Sequence, residues 1–222
     1  MTSCHFASQS SSWVILLIHH QNTTPGLTWH DVLHLLLHSP FLQHPLILFL
    51  GTTALAARAT GAGNREEAGQ VAGQSILIAL CFGALISLVG FLKADWIVTF
   101  MKAEPAVRAI GKEYVRAMMP GMLLFFVFTI ATGASRGSGD TRTPMLINLG
   151  LNLVHILTNY LLIFGNWGFP KLGVAGAGLS TSISRTLGGI AMLVVLTSGK
   201  ARLHVNFKRV LTAFDWKLFG RI

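Results

Sequence analysis

Long apolar runs alternate with short polar connectors over most of this chain of 222 residues. A helix needs roughly 20 mostly apolar residues to cross the hydrocarbon core of a bilayer. Runs of suitable length predict membrane spans at about residues 46–62, 70–92, 115–135, 144–165 and 172–198. The first span is the weakest, because Gln43, His44 and Pro45 lie where it would begin. The pattern therefore predicts an all-α protein, an integral membrane helical bundle.

The composition agrees with membrane spans and excludes an ordinary soluble domain. Hydrophobic residues make up 52% of the chain and charged residues 11%, whereas a soluble domain carries about 25% charged residues. In a soluble protein the formal net charge of +9 would suggest a nucleic-acid partner. Here the basic residues lie between and beyond the apolar runs, as in the loops of membrane proteins. We therefore expect a multi-pass protein of the cell membrane, whose partner is the lipid bilayer and not nucleic acid.

The first 45 residues differ from the rest in charge and in histidine content. All seventeen Lys and Arg residues lie at or after Arg58, and seven of the nine histidines precede it. No basic segment precedes the short apolar run at 13–18, so a signal peptide is not predicted. We expect residues 1–45 to be an atypical histidine-rich segment, either disordered or mistranslated from a wrong start or frame.

Three histidines in this first segment raise an alternative function. His30, His34 and His38 would share one face of a helix and could bind a metal, as in a membrane-bound metalloenzyme. Only two isolated histidines follow downstream, and Cys4 and Cys81 have no metal-ligand neighbours at a recognised spacing. The rest of a ligand set is missing, so we expect no metal site and no enzymatic activity.

The connectors carry unequal numbers of basic residues. Those at 58–67, 136–143 and from residue 200 onward share ten Lys and Arg residues, and those at 93–116 and around Lys171 share six. The positive-inside tendency therefore places the C-terminal segment in the cytoplasm. Apolar residues recur there at steps of three and four, which predicts that residues 199–222 form a cytoplasmic amphipathic linker.

Polar side chains interrupt the span at 144–165 with helical spacing. Asn148, Asn152, His155 and Asn159 fall at steps of four, three and four, so they project from one face of the helix. Amide and imidazole groups that face lipid lack hydrogen-bond partners, so this face should look into the bundle or a wet cavity. Hydrogen bonding between neighbouring membrane helices would explain the stripe equally well.

Arg185 is a charged residue in the middle of the last span. Charges at such a depth are costly, which makes Arg185 a candidate functional residue of the same cavity. The alternative is structural: the helix would break or snorkel around residues 180–184, which would give the guanidinium group local hydroxyl and carbonyl partners.

Three segments, taken in order, carry a resemblance to a known family. Residues 51–58 read GTTALAAR, with GAG at 61–63, and residues 135–145 read SRGSGDTRTPM. Residues 159–165 read NYLLIFG, and GFPKLGVAGAG follows at 168–178. They resemble the loops after the second and fourth helices, and the fifth-to-sixth helix junction, of the multidrug and toxic compound extrusion (MATE) family. The residues of the first two loops that carry the resemblance are Arg58, Gly61, Arg136, Gly137, Gly139, Asp140 and Pro144.

The resemblance implies a transporter lobe. MATE proteins have two six-helix lobes around a central cavity, and they export organic cations and drugs in exchange for Na⁺ or H⁺. This chain resembles roughly helices two to six, one partial lobe without the C-terminal lobe. Alternating access needs two halves that move against each other, so we expect no transport by this chain alone. A membrane fragment that only packs with other proteins is a further alternative.

The fifth helix departs from the family's pattern for cation coupling. Many members carry an Asn there and, four residues later, an Asp; the matching positions here are His155 and Asn159. His155 can take a proton near neutral pH, and neutral amides and carbonyls can coordinate Na⁺. Both H⁺ and Na⁺ are therefore kept as coupling ions, and no other cofactor is expected.

Overall fold

A computed structural model describes residues 40–100, 105–199, 202–205 and 210. The histidine stripe of the first segment and most of the predicted linker at 199–222 lie outside these described residues. The chain divides into two units, Met1–His44 and Pro45–Ile222, and the helical bundle belongs to the second. The helices are α1 (Pro40–Gly61), α2 (Arg65–Leu92), α3 (Ala94–Phe100), α4 (Pro105–Gly137), α5 (Arg142–Phe164) and α6 (Val174–Thr197), with a short 3-10 helix at Asn166–Gly168.

Four helices of the described part are long and apolar enough to cross a membrane. They are α2, α4 from Val107 onward, α5 and α6. Much of their apolar surface points outward: Leu85, Leu153 and Val194 are all more than half exposed. In water such an exposed apolar surface would favour aggregation, whereas in a membrane it contacts the lipid chains. The predicted all-α membrane bundle is confirmed.

The connector predicted at 93–116 is mostly helical. It contains α3 and the beginning of α4, which starts ten residues before the span predicted at 115–135. A hydropathy window detects only the lipid-facing part of a helix, and the first turns of α4 carry Arg108, Lys112 and Glu113. Lys112 Nζ lies 3.2 Å from Asp95 Oδ1 of α3, a partly exposed ion pair. Such pairs contribute little free energy, about 0–1 kcal/mol.

Glycines let α4 pack closely against its neighbours. A Cβ atom at Gly178 of α6 would lie 2.6 Å from the carbonyl oxygen of Tyr114, and one at Gly189 would lie 2.6 Å from that of Leu124. On α2, a Cβ atom at Gly83 would lie 2.8 Å from the carbonyl oxygen of Leu123. α4 is therefore the central helix, with α2 and α6 packed against it through small residues. α5 packs mainly on α6.

The glycine-rich loop between α4 and α5 is a tight turn with a side-chain cap. Gly139 has a φ of 80°, a conformation that favours glycine. Asp140 Oδ1 accepts the backbone N–H of Thr143 at 3.1 Å, and Oδ2 accepts its hydroxyl at 2.8 Å. Pro144 is buried in the first turn of α5, where a missing N–H is tolerated. These three residues of the family motif therefore shape the turn.

The other residues of the family loops have varied surroundings. Arg58, Arg136 and Arg142 are exposed, as expected for groups that meet lipid headgroups. Gly137 packs against the backbone of α1 at Thr53, where a larger residue would not fit. Gly61 has no atom within 4 Å of an added Cβ, so packing does not require glycine there.

The chain after α6 turns back onto α2. The backbone N–H of Val205 donates to the carbonyl oxygen of Leu196 at 3.0 Å. Leu203 and Val205 are buried in the apolar core. A Cβ atom at Gly69 would lie 2.5 Å from the carbonyl oxygen of His204. The described part of the predicted linker therefore packs into the bundle.

Exposed aromatic residues gather at the opposite end from the glycine-rich loop. Trp96 and Phe100 of α3 stack with their ring centroids 5.3 Å apart, and Trp167 follows the end of α5. All three side chains are more than 60% exposed. Tryptophan and other aromatic rings favour the headgroup level of a bilayer. This end of the bundle therefore has the composition of a membrane–water interface.

Candidate functional site

α5 has three distinct faces. At 100° per residue, Asn148, Asn152, His155 and Asn159 lie within about 60° of one another, and we call this set the polar stripe. On one side of it is the face that packs on α6, which includes Thr158 and Leu162. On the other side is an exposed apolar face, formed by Leu149, Leu153, Ile156, Leu157 and Tyr160. The polar stripe therefore runs along the edge of the contact between α5 and α6.

The four residues of the polar stripe have different surroundings. Asn152 is exposed, and the other three are half-buried. His155 Nε2 lies 3.4 Å from the hydroxyl oxygen of Thr181 on α6. The side-chain oxygen of Asn159 is buried and has no hydrogen-bond partner among the described residues. The structure thus brings His155 to α6 and leaves Asn159 with a polar atom that needs a partner from elsewhere.

A pair of hydroxyl groups joins α5 to α6 beside the stripe. Thr158 Oγ1 and Ser180 Oγ lie 2.6 Å apart, and Ser180 Oγ lies 3.2 Å from the carbonyl oxygen of His155. Interhelical hydrogen bonds of this kind hold membrane helices together. The stripe pattern missed both residues, because serine and threonine also bond to their own helix and so carry no periodic signal. Of the stripe itself, His155 lies within reach of a hydroxyl group of α6, and Asn152 is exposed.

Arg185 binds to α4 and not to hydroxyl groups of its own helix. α6 runs unbroken from Val174 to Thr197, so the helix does not break around residues 180–184, which was one form of the structural alternative. Arg185 Nη1 donates to Met122 Sδ at 2.8 Å. The guanidinium carbon lies 4.6 Å from the centroid of the Phe125 ring, within cation–π range. The aromatic ring and the thioether interact favourably with the positive charge of Arg185. The guanidinium group therefore has partners while α6 remains helical.

Contacts near Arg185 link residues of three helices: Arg185 contacts Met122 and Phe125 of α4, and Thr181 contacts His155 of α5. We call the set Met122, Phe125, His155, Thr181 and Arg185 the Arg185 cleft. His155 Nε2 of α5 lies 3.4 Å from the hydroxyl oxygen of Thr181, which is one helical turn before Arg185 on α6. The cleft joins a permanent cation, a titratable imidazole and a hydroxyl group to an apolar wall. This arrangement can bind a polar or charged group of an amphipathic molecule.

The described residues do not form a cluster of metal-ligating side chains. In the ranges 40–100, 105–199 and 202–205, no three His, Cys, Asp or Glu side chains come together in a way that could hold a metal ion. The histidine stripe at 30, 34 and 38 lies outside those ranges, so that prediction is not addressed by the structure.

Comparison with known proteins gives one family and one fold. The family model MatE matches residues 38–161. The chain is 35% identical over 156 residues to the probable multidrug resistance protein NorM of Thermotoga maritima, which covers 70% of this chain and 34% of that protein. It is 31% identical over 179 residues to the probable multidrug resistance protein NorM of a Bacillus cereus strain. That alignment covers 79% of this chain and 39% of the relative.

A solved structure shares the fold. It is the inward-facing conformation of a multidrug resistance MATE family transporter of the MOP superfamily, with a TM-score of 0.70 and 21% sequence identity. The match covers 80% of this chain and 39% of that one. This chain therefore spans a little over a third of the length of the proteins to which it is similar.

Proposed function

Because this chain belongs to the MatE family, whose model matches more than half of it, we propose that it forms one lobe of a multidrug efflux transporter. The family match and the lobe fold carry this proposal. The named relatives are transporters and multidrug resistance proteins, and we propose no enzymatic activity. As a family member with four helices that can span a bilayer, the chain is a multi-pass membrane protein.

The polar stripe and the Arg185 cleft support the proposal that this lobe contains part of the solute-binding site. Transporter sites lie near the middle of the membrane, at the interface between repeats. Asn152 is exposed on α5, His155 contacts Thr181 of α6, and Arg185 is half-buried against Met122 and Phe125 of α4. We propose that Asn148, Asn152, His155, Asn159 and Arg185 line the cavity from this side.

Transport by this lobe needs a second lobe. Alternating access requires two halves that move against each other around a fixed site, and this chain matches only 34–39% of the length of its two relatives. We therefore propose that the 222 residues alone do not export solutes. Another polypeptide, or a longer form of the chain, would supply the partner lobe.

We propose that His155 and Asn159 take part in coupling to H⁺ or Na⁺. His155 is a titratable group within a half-buried polar environment. The buried side-chain oxygen of Asn159 has no hydrogen-bond partner among the described residues, and a neutral amide oxygen is a suitable Na⁺ ligand. These substitutions are made in a two-lobed version of the protein. If H⁺ drives its export, His155→Gln should abolish export and Asn159→Ala should not. If Na⁺ drives export, Asn159→Ala should abolish it and His155→Gln should not.

Dye export from cells tests the proposal directly. One strain expresses the 222-residue chain, and another expresses a two-lobed version in which the C-terminal half of the Thermotoga maritima NorM protein follows residue 222. We expect the two-lobed version to lower the accumulation of a fluorescent dye and the chain alone to match the empty vector. Export by the chain alone would contradict the requirement for a second lobe. A well-expressed two-lobed version without export of any dye or drug tested would contradict the transporter function.

A further inference from the structure

The chain after α6 lies back on the bundle and is buried there. We call residues 202–205 and 210 the anchor segment. Its side chains Leu203, Val205 and Val210 are 2%, 1% and 3% exposed, and they belong to the apolar core. Burial of one such side chain favours the docked state by roughly tenfold or more. The docked position is therefore strongly favoured over a free linker.

The anchor segment joins the end of α6 to the loop that follows α4. The backbone N–H of Val205 donates to the carbonyl oxygen of Leu196, in the last turns of α6, at 3.0 Å. Arg202 Nη1 lies 3.5 Å from the carbonyl oxygen of Gly139, in the loop between α4 and α5. Both acceptors are backbone groups, so the segment is held by fixed parts of the fold as well as by side-chain burial.

The first turns of α2 accept the anchor segment because glycine lies at the two points of closest approach. A Cβ atom at Gly69 would lie 2.5 Å from the carbonyl oxygen of His204. A Cβ atom at Gly73 would lie 3.1 Å from Val205 Cγ1 and would also meet the Val210 side chain. Small residues allow such close backbone contact. The anchor segment therefore connects α2 to α6, two helices that both pack on α4.

We propose that the anchor segment stays attached to α2 and α6 throughout transport, so that a second lobe pulls on the ends of these helices and not on a free linker. The inference rests on the proposed function, because it concerns the connection to a second lobe that follows the segment. Alternating access moves two halves against each other. Any bend in the connection between the lobes then lies after Val210.

A disulfide bond between α2 and the anchor segment tests the attachment. In a chain with Cys4 and Cys81 replaced by serine, Gly73→Cys is combined with Val210→Cys. Val210 Cβ lies 3.3 Å from a Cβ atom added at Gly73, close to the roughly 3.5–4.5 Å that a disulfide bond requires. We expect the pair to cross-link in membranes under mild oxidation. Gly61→Cys with Val210→Cys is the matched control and should stay reduced, since no atom lies within 4 Å of a Cβ atom added at Gly61.

Thiol counting and dye export give the two readouts of this experiment. A polyethylene-glycol maleimide, added after denaturation, labels the reduced cysteines and leaves the cross-linked ones unlabelled. The cysteine pair is then placed in the two-lobed version, and its export is compared before and after reduction. We expect no loss of export on oxidation, because a segment that never leaves α2 is not hindered by a bond to it.

A bulky side chain on α2 provides a second, independent test. Gly73→Leu would place its side chain where Val205 and Val210 lie. Trypsin is added to membranes, and the fragment that ends at the exposed Arg202 is quantified by mass spectrometry. We expect cleavage at least about tenfold faster than in the unmodified chain, because overpacking raises the population of the opened state that the protease cuts. Gly61→Leu is the control and should leave the cleavage rate unchanged.

The outcomes separate this inference from the proposed function. Absence of the cross-link in the 222-residue chain, or equal cleavage of Gly73→Leu and the unmodified chain, would overturn the attachment and leave the transporter lobe in place. Export that stops on oxidation and returns on reduction would show that the segment must leave α2 during transport, which contradicts permanent attachment. An unmodified two-lobed version that exports nothing would contradict the transporter function and this inference together.

Discussion

At the scale of single residues, the contact between α5 and α6 depends on a few hydroxyl groups. Thr158 Oγ1 and Ser180 Oγ lie 2.6 Å apart. The Thr158 hydroxyl also lies 2.8 Å from the carbonyl oxygen of Val154 on its own helix. A residue that already has an intrahelical acceptor loses less when its interhelical partner is removed. The net free energy of this pair should therefore be small.

We expect Thr158→Val and Ser180→Ala each to lower the free energy of unfolding, with a coupling energy of about 0.6 kcal/mol and at most roughly 1.7 kcal/mol. A double-mutant cycle measured by unfolding in mixed detergent micelles checks this value. Thr197→Val is the control, because its hydroxyl bonds only within α6 and is exposed. A coupling energy of zero would contradict a bond between the helices.

Residue-scale chemistry was only partly predictable from the sequence. The period of the polar stripe placed Asn148, Asn152, His155 and Asn159 on one face, and this follows from helix geometry alone. The partner of Arg185 was not predictable, because Met122 lies 63 positions away in the sequence. A thioether and an aromatic ring give no polar signal in the sequence, so the structural alternative named nearby hydroxyl and carbonyl groups, whereas the contacts are with Met122 and Phe125.

At the scale of helices, the contact between α4 and α6 depends on close backbone approach. A Cβ atom at Gly178 would lie 2.6 Å from the carbonyl oxygen of Tyr114, and a backbone atom cannot swing aside as a flexible side chain can. We expect Gly178→Ala to cost about 1–3 kcal/mol, as overpacking usually does. Gly150→Ala on α5 is the matched control, since no atom lies within 4 Å of its added Cβ.

The Gly150→Ala control should be neutral or stabilising by up to about 1 kcal/mol, because alanine favours a helix over glycine. Thermal unfolding of both variants in the same detergent gives the comparison. Equal stability of the two variants would contradict the close packing of α4 against α6.

The start of α5 depends on one carboxylate. Asp140 accepts the backbone N–H of Thr143 at 3.1 Å, which satisfies a donor that the first turn of a helix leaves unpaired. We expect Asp140→Ala to cost about 1 kcal/mol and Asp140→Asn considerably less, because an amide oxygen can still accept this bond. Chemical unfolding of the two variants measures the difference, and equal losses would argue against the cap.

Helix existence was easier to predict than helix ends. The apolar runs that predicted the last four spans follow from the thickness of a bilayer. α3 was not predicted because its seven residues are too few for a membrane span, and the first ten residues of α4 were not predicted because Arg108, Lys112 and Glu113 lower the hydropathy there. Their positions depend on contacts such as Lys112 with Asp95, which a hydropathy profile does not contain.

At the scale of the whole molecule, the bundle has one outer surface suited to lipid and one polar edge. The exposed Leu153 of α5 lies about 100° around the helix from Asn152. In a complete transporter the first surface would face lipid and the second would face water between the lobes. The family match and the fold both agree with a lobe of this kind.

The central claim is that the polar stripe of α5 faces an aqueous cavity, and thiol labelling tests it most directly. In the two-lobed version, Cys4 and Cys81 are replaced by serine, and single cysteines are introduced at Asn152, Leu153 and Ile156. Leu153 and Ile156 are exposed on the apolar face. A water-soluble maleimide is then added to membranes, and the labelling rates are compared. We expect Asn152→Cys to react much faster than Leu153→Cys and Ile156→Cys; equal protection of all three would contradict the cavity.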